Sequence, residues 1–106
     1  MTYDEGLAER IRDILPKATE KKMFGGVGWM ERGNMVAGIR GDDLLIRQSE
    51  ADTPKVLKEK GTKGFEVGGR VSRGWILVEP EAIAEEPELK QWIERSRKYV
   101  ATLPAK

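Results

Sequence analysis

Between Thr19 and Arg47 the apolar residues stop recurring at helical spacing and begin to alternate. Lys21 and Met23 point one way, Lys22 and Phe24 the other. Val27, Trp29 and Glu31 alternate with Gly28 and Met30. Met35, Ala37 and Ile39 alternate with Val36, Gly38 and Arg40, and Leu44 and Ile46 with Leu45 and Arg47. A period of two belongs to extended chain, whose successive side chains leave on opposite faces. The interruptions are short: Gly25-Gly26, Arg32-Gly33-Asn34 and Gly41-Asp42. Gly33 or Asn34 can supply positive φ in the second, and Gly41-Asp42 suits a hairpin. Parallel strands need long crossovers, and none fits here, so the stretch reads as an antiparallel meander of three or four strands.

The flanks return to helical spacing. Leu7, Ile11, Ile14 and Leu15 share one stripe, which predicts a first helix from about Tyr3 to Leu15. Thr2 with Glu5 resembles a capping box, Asp4 is the other candidate cap, and Pro16 stops the helix. After the meander, Ser49 or Thr53-Pro54 opens a short helix with Val56 and Leu57 as its apolar residues and Gly61 at its end. Phe65 and Val67 precede Gly68-Gly69, and Trp75-Ile76-Leu77-Val78 is the strongest strand signal, ended by Pro80. Glu85-Glu86-Pro87-Glu88 starts the last helix, whose stripe is Leu89, Trp92, Ile93, Ser96, Tyr99, Val100 and Leu103. The expected order is α-β-β-β-α-β-β-α in one domain over residues 1–106. That is an α+β fold of two layers, an antiparallel sheet of about five strands with helices on one face. Leu44 and Ile46 with Leu45, and Trp75 and Leu77 with Ile76 and Val78, are apolar on both sides of their strands. Helices cover one face only, so the other is expected to expose apolar area and to serve a homodimer or a protein partner, the alternative being that side-chain stems and loops cover it.

Composition removes function classes. The chain has no Cys and no His, which excludes disulfides, Cys or His zinc ligation, and Ser-His or Cys-His nucleophilic systems. Ser49, Ser72, Ser96 and Thr102 have no evident activator. No catalytic, cofactor or metal set is expected. Gly25-Gly26-Val27-Gly28 follows a strand as a dinucleotide loop would, but leads into another strand rather than a helix N-terminus. These glycines read as a bulge between strands or a close approach of the first helix. Asp42-Asp43 reads as a turn, and Glu81, Glu85, Glu86 and Glu88 as helix-start acids. Net charge is +1, from 19 basic and 18 acidic residues, which gives no global pull on nucleic acid. The basic residues crowd the middle, and Arg40, Arg47, Arg70 and Arg73 suggest a basic face. No signal peptide or membrane-spanning run is read, and a cytoplasmic location is the expectation.

Lys21-Lys22-Met23-Phe24-Gly25-Gly26, then Trp29, Gly33-Asn34-Met35, Gly38 and Gly41-Asp42-Asp43-Leu44, resemble the TfoX/Sxy N-terminal domain family. Tyr3 to Arg12, Gly69-Arg70, Gly74-Trp75 and Trp92 fit as well. The aromatic after the glycines is usually Phe in that family, so Trp29 is a mild departure. The resemblance implies a fold similar to secretion-chaperone-like domains. It also implies a role like that of bacterial competence regulators, which act on transcription with the cyclic-AMP receptor protein. Those regulators carry a second, helical domain for which 106 residues leave no room, so a stand-alone domain is expected. The readings carried forward are a non-enzymatic interaction module, a nucleic-acid binder using a basic sheet face, and a small-ligand protein or enzyme using carboxylates, Lys, Tyr3 or Tyr99. Lys21, Lys22, Met23, Phe24, Gly25, Gly26 and Trp29 are the expected partner contacts.

Overall fold

The computed structural model, which describes residues 3–23 and 26–105 apart from the side chains of Met23 and Val67, resolves the alternating stretch into four strands. These are β1 (Thr19–Met23), β2 (Gly26–Glu31), β3 (Asn34–Arg40) and β4 (Asp43–Arg47). They follow α1 (Glu5–Ile14) and precede a single-turn α2 (Thr53–Val56), β5 (Thr62–Val67), β6 (Arg70–Val78), a 3-10 turn (Pro80–Ile83) and α3 (Glu86–Val100). The sheet is antiparallel throughout, in the order β1-β2-β3-β4-β6-β5.

It has six strands rather than about five, with four before α2. The difference lies at the glycines. Met23 pairs with Gly26, so the chain reverses there and the segment is two strands, not one strand with a bulge. Phe24 and Gly25 themselves lie outside the described residues. The bulge falls elsewhere, between Trp29 and Met30.

Helix starts are set by side-chain chemistry. Asp4 caps α1 by accepting from the Leu7 N–H at 3.1 Å. At α3, Glu88 reaches back to the Glu85 N–H at 3.2 Å, with Pro87 in the first turn. Thr53 is not the cap of α2 but its first residue. Its hydroxyl donates to the Ser49 carbonyl and accepts the Gly74 N–H, which ties α2 to β6.

All helices lie on one side of the sheet. Val27, Trp29, Ala37, Ile39, Leu44, Ile46, Ile76 and Val78 meet Leu7, Ile11, Val56, Ile83, Leu89, Trp92 and Ile93 there. Full burial of each large aliphatic side chain contributes roughly 1.5–3 kcal/mol, and this layer drives folding. Ser96 lies on the buried stripe of α3 and enters the sheet itself. Its hydroxyl accepts the Arg47 N–H at 3.0 Å and donates to the Val36 carbonyl. One position beyond the Ala37–Ile46 pair, the hydroxyl thus stands between β3 and β4 where a direct ladder bond would be.

Candidate interaction face

The side of the sheet turned away from the helices carries the sequence-predicted arginines. Strand parity puts Lys21, Gly28, Gly38, Arg40, Asp43, Leu45, Arg47, Lys63, Trp75 and Leu77 on it. Exposed apolar area was expected here, and the structure corrects this. Leu45 and Leu77 are 8% and 5% exposed, and Val71 is the single large apolar residue classed as exposed among those described.

Long polar side chains supply the cover. The Arg40 guanidinium stacks over the Phe65 ring, 5.1 Å from its centre, and donates to the Glu66 carbonyl at 3.1 Å. Arg40 on β3 and Phe65 on β5 have two strands between them. Sheet twist and the irregularity between Gly64 and Glu66 bring them within reach. Lys63 spans β6 in the same way to meet Asp43 at 3.0 Å, which raises the pKa of its ammonium. Arg47 stacks on its cross-strand neighbour Trp75, again 5.1 Å from the ring. Among the described residues the Arg47 guanidinium has no hydrogen-bond or ion-pair partner, and both Arg47 and Trp75 are half-buried.

The other predicted residues are more scattered. Lys21 is exposed on edge strand β1, on the open side opposite Gly28. Lys22 is exposed on the same strand but faces the helix side. Met23 and Gly26 flank the reversal, and Phe24 and Gly25 fall outside the described residues. Trp29 is 1% exposed in the helix-side core, so it is not a surface for contact. Arg70 and Arg73 are exposed on the outer half of β6. Phe65, Lys63 and Trp75 were not read as part of this face from the sequence. Arg47 and Trp75 meet only through strand register, which composition and spacing do not reveal.

Asp42-Asp43 lies at the β3–β4 hairpin, Glu81 in the 3-10 turn, and Glu85, Glu86 and Glu88 at the start of α3. Gly41 takes φ 63° in the hairpin that pairs Arg40 with Asp43, and Asp43 serves Lys63. No group of three or more acids that could hold a metal occurs among the described residues. No helix among them is long and apolar enough to cross a membrane.

On the opposite layer several arginines are paired with carboxylates. Arg12 makes a two-point contact with Glu20 at 2.6 and 2.9 Å, and hydrogen bonding to Arg12 lowers the Glu20 pKa. Arg95 does the same for Glu59 at 3.0 and 2.7 Å. Arg97 binds Glu31 at 2.9 and 3.1 Å, and Arg10 binds Glu86 at 2.8 Å. The unpaired arginine stacked on an aromatic ring is therefore on the open face.

Comparison with curated proteins and with solved structures finds no match. Comparison with protein families matches the TfoX N-terminal domain over residues 9–99, nearly the whole of the 106-residue chain. The chain, an α+β domain with a six-stranded antiparallel sheet, therefore belongs to the TfoX N-terminal domain family.

Proposed function

We propose that the protein is a non-catalytic regulatory module that binds another protein through its open sheet face. The observation that carries this is the Arg47–Trp75 stack, which is half-buried, uncovered by any helix and without an acidic partner among the described residues. Arginine and tryptophan dominate the energetics of protein contacts, because each combines a large buried area with directed hydrogen bonds. Stacking restrains the guanidinium, so less rotamer entropy is lost on binding. Family membership supports a role of the regulator type, acting on transcription through a partner.

The reading as a nucleic-acid binder is less well supported. Single strands are held largely by bases stacking on aromatic faces, and here guanidinium groups occupy Phe65 and Trp75. The net charge of +1 adds little long-range attraction.

Affinity capture tests the proposal. The wild type is compared with the Arg40→Glu/Arg47→Glu double variant and with Lys90→Glu on the exposed side of α3. Open-face reversal is expected to remove specific captured proteins that Lys90→Glu retains. Identical capture by all three folded proteins would sink the reading.

A further inference from the structure

We infer that the partner segment is acidic and extended, and that it lies along the open face with carboxylates on Arg40 and Arg47. This rests on the interaction reading above and names the chemistry of the partner. Charge complementarity carries it. Of the groups that strand parity places on the open face, Lys21, Arg40, Arg47 and Lys63 are basic and Asp43 is acidic. Lys63 neutralises Asp43. Arg70 and Arg73 add exposed positive charge on the adjoining part of β6, against one exposed acid, Glu66, on the paired strand β5.

A planar guanidinium matches a carboxylate in a two-point contact. The helix layer of this protein makes that contact at Arg12–Glu20, Arg95–Glu59 and Arg97–Glu31. Arg40 and Arg47 are stacked arginines whose forks have no such carboxylate partner among the described residues, and Arg40 donates only to the Glu66 carbonyl.

The spacing sets the form of the ligand. Arg40 and Arg47 start from neighbouring strands, and their guanidinium groups rest over Phe65 on β5 and Trp75 on β6, the two paired strands at one edge of the sheet. In an extended peptide alternate side chains leave on one side, about 7 Å apart. A partner strand with acids at alternate positions therefore reaches both arginines. Its intervening side chains avoid the positive charge.

The same charges argue against a second copy on this face. An isologous pairing would bring one basic face against another, and like charges across an interface are repulsive.

The test uses fluorescein-labelled peptides of about ten residues, long enough to span both arginines. One alternates Glu with Thr and Leu, a second carries Lys in place of Glu, and a single-stranded oligonucleotide of matched charge is the third probe. The acidic peptide is expected to bind, to shift the amide resonances of Leu45, Arg47 and Trp75, and to weaken steeply with salt. Arg47→Gln and Arg40→Gln, which leave no reversed charge to disturb folding, are each expected to weaken it at least about tenfold. Arg47→Lys should recover part of the loss, since the charge remains without the fork. Lys90→Glu should bind as the wild type does. Equal binding of the Lys peptide, tighter binding of the oligonucleotide, or no response on the open face would each overturn the inference. If charge reversal abolishes protein capture while the acidic peptide fails to bind, the interaction reading stands and the acidic partner does not.

Discussion

Ser96 is a hydroxyl without an activator in the sequence, and the structure gives it a structural task. It is fully buried, and it bridges the Arg47 N–H and the Val36 carbonyl where β3 and β4 separate. Ser96→Ala leaves both backbone groups without that bridge. A buried group left unsatisfied costs about 1–3 kcal/mol, and partial closure of the strands recovers some of this. The expected loss is about 2 kcal/mol in urea unfolding, with faster hydrogen exchange at the Arg47 amide. A loss below about 0.5 kcal/mol would mean that the ladder closes unaided. Because the bridge fixes the backbone of Arg47, its removal should also weaken whatever the Arg47–Trp75 stack binds. Trp29 teaches the opposite lesson. Its ring is 1% exposed in the helix-side core, where it contributes by its volume rather than as a contact surface.

At the scale of elements, the β2–β3 hairpin acts as a clamp on the end of α3. Arg32 and Gly33 take φ 54° and 81°, as a two-residue turn between paired Glu31 and Asn34 requires. The sequence reading offered Gly33 or Asn34 for positive φ. Gly33 takes it, Arg32 takes it as well, and Asn34 is already in β3. A left-handed arginine costs roughly 1–2 kcal/mol relative to its relaxed backbone. Its guanidinium donates to the carbonyls of Val100, Ala101 and Leu103 at 3.1–3.2 Å, and the buried Asn34 amide donates to the Pro104 carbonyl at 3.0 Å. Val100 ends α3 and Ala101 caps it, so a cation there suits the helix dipole, while Leu103 and Pro104 lie just beyond the helix. Arg32→Ala keeps the strain and loses the clamp, whereas Arg32→Gly loses the clamp and relieves the strain. Both should speed amide exchange in the last turn of α3, with the Gly variant about 1 kcal/mol the more stable of the two. Equal exchange in wild type and variants would remove the clamp from the account. The helices were legible because their apolar spacing survives any tertiary context: α1 falls within two residues of its expected bounds, and α3 stops at Val100, three residues before the last residue of its expected stripe, Leu103. The clamp and the open-face stacks were not legible, because Arg32 with Val100 and Arg47 with Trp75 meet only after register and layer packing are set.

Across the whole molecule, charge is divided between two surfaces. Ion pairs knit the helix layer: Arg10–Glu86 joins α1 to α3, Arg12–Glu20 joins α1 to β1, and Arg97–Glu31 joins α3 to β2. Arg95–Glu59 holds the segment between α2 and β5 against α3. The open face is left with unpaired positive charge, and the low net charge of the chain conceals this asymmetry. The layer pairs also set the response to acid. Hydrogen bonds from Arg12 and Arg95 hold the Glu20 and Glu59 carboxyls below the ordinary carboxylate range. Each contributes stability in full above the unfolded Glu value of about 4.3 and loses it as pH falls through the lowered folded value. Both pairs are substantially exposed, so each contribution is small and screened by salt. The absence of His removes the side chain that ordinarily titrates near neutrality. The urea midpoint should therefore stay level between about pH 6 and 8 and fall below about pH 4.5. The Glu20→Gln/Glu59→Gln variant should be slightly less stable at neutral pH and should lose less on acidification. An acid limb identical to that of the wild type would show that other carboxylates carry the dependence, and a slope near neutrality would contradict the level plateau.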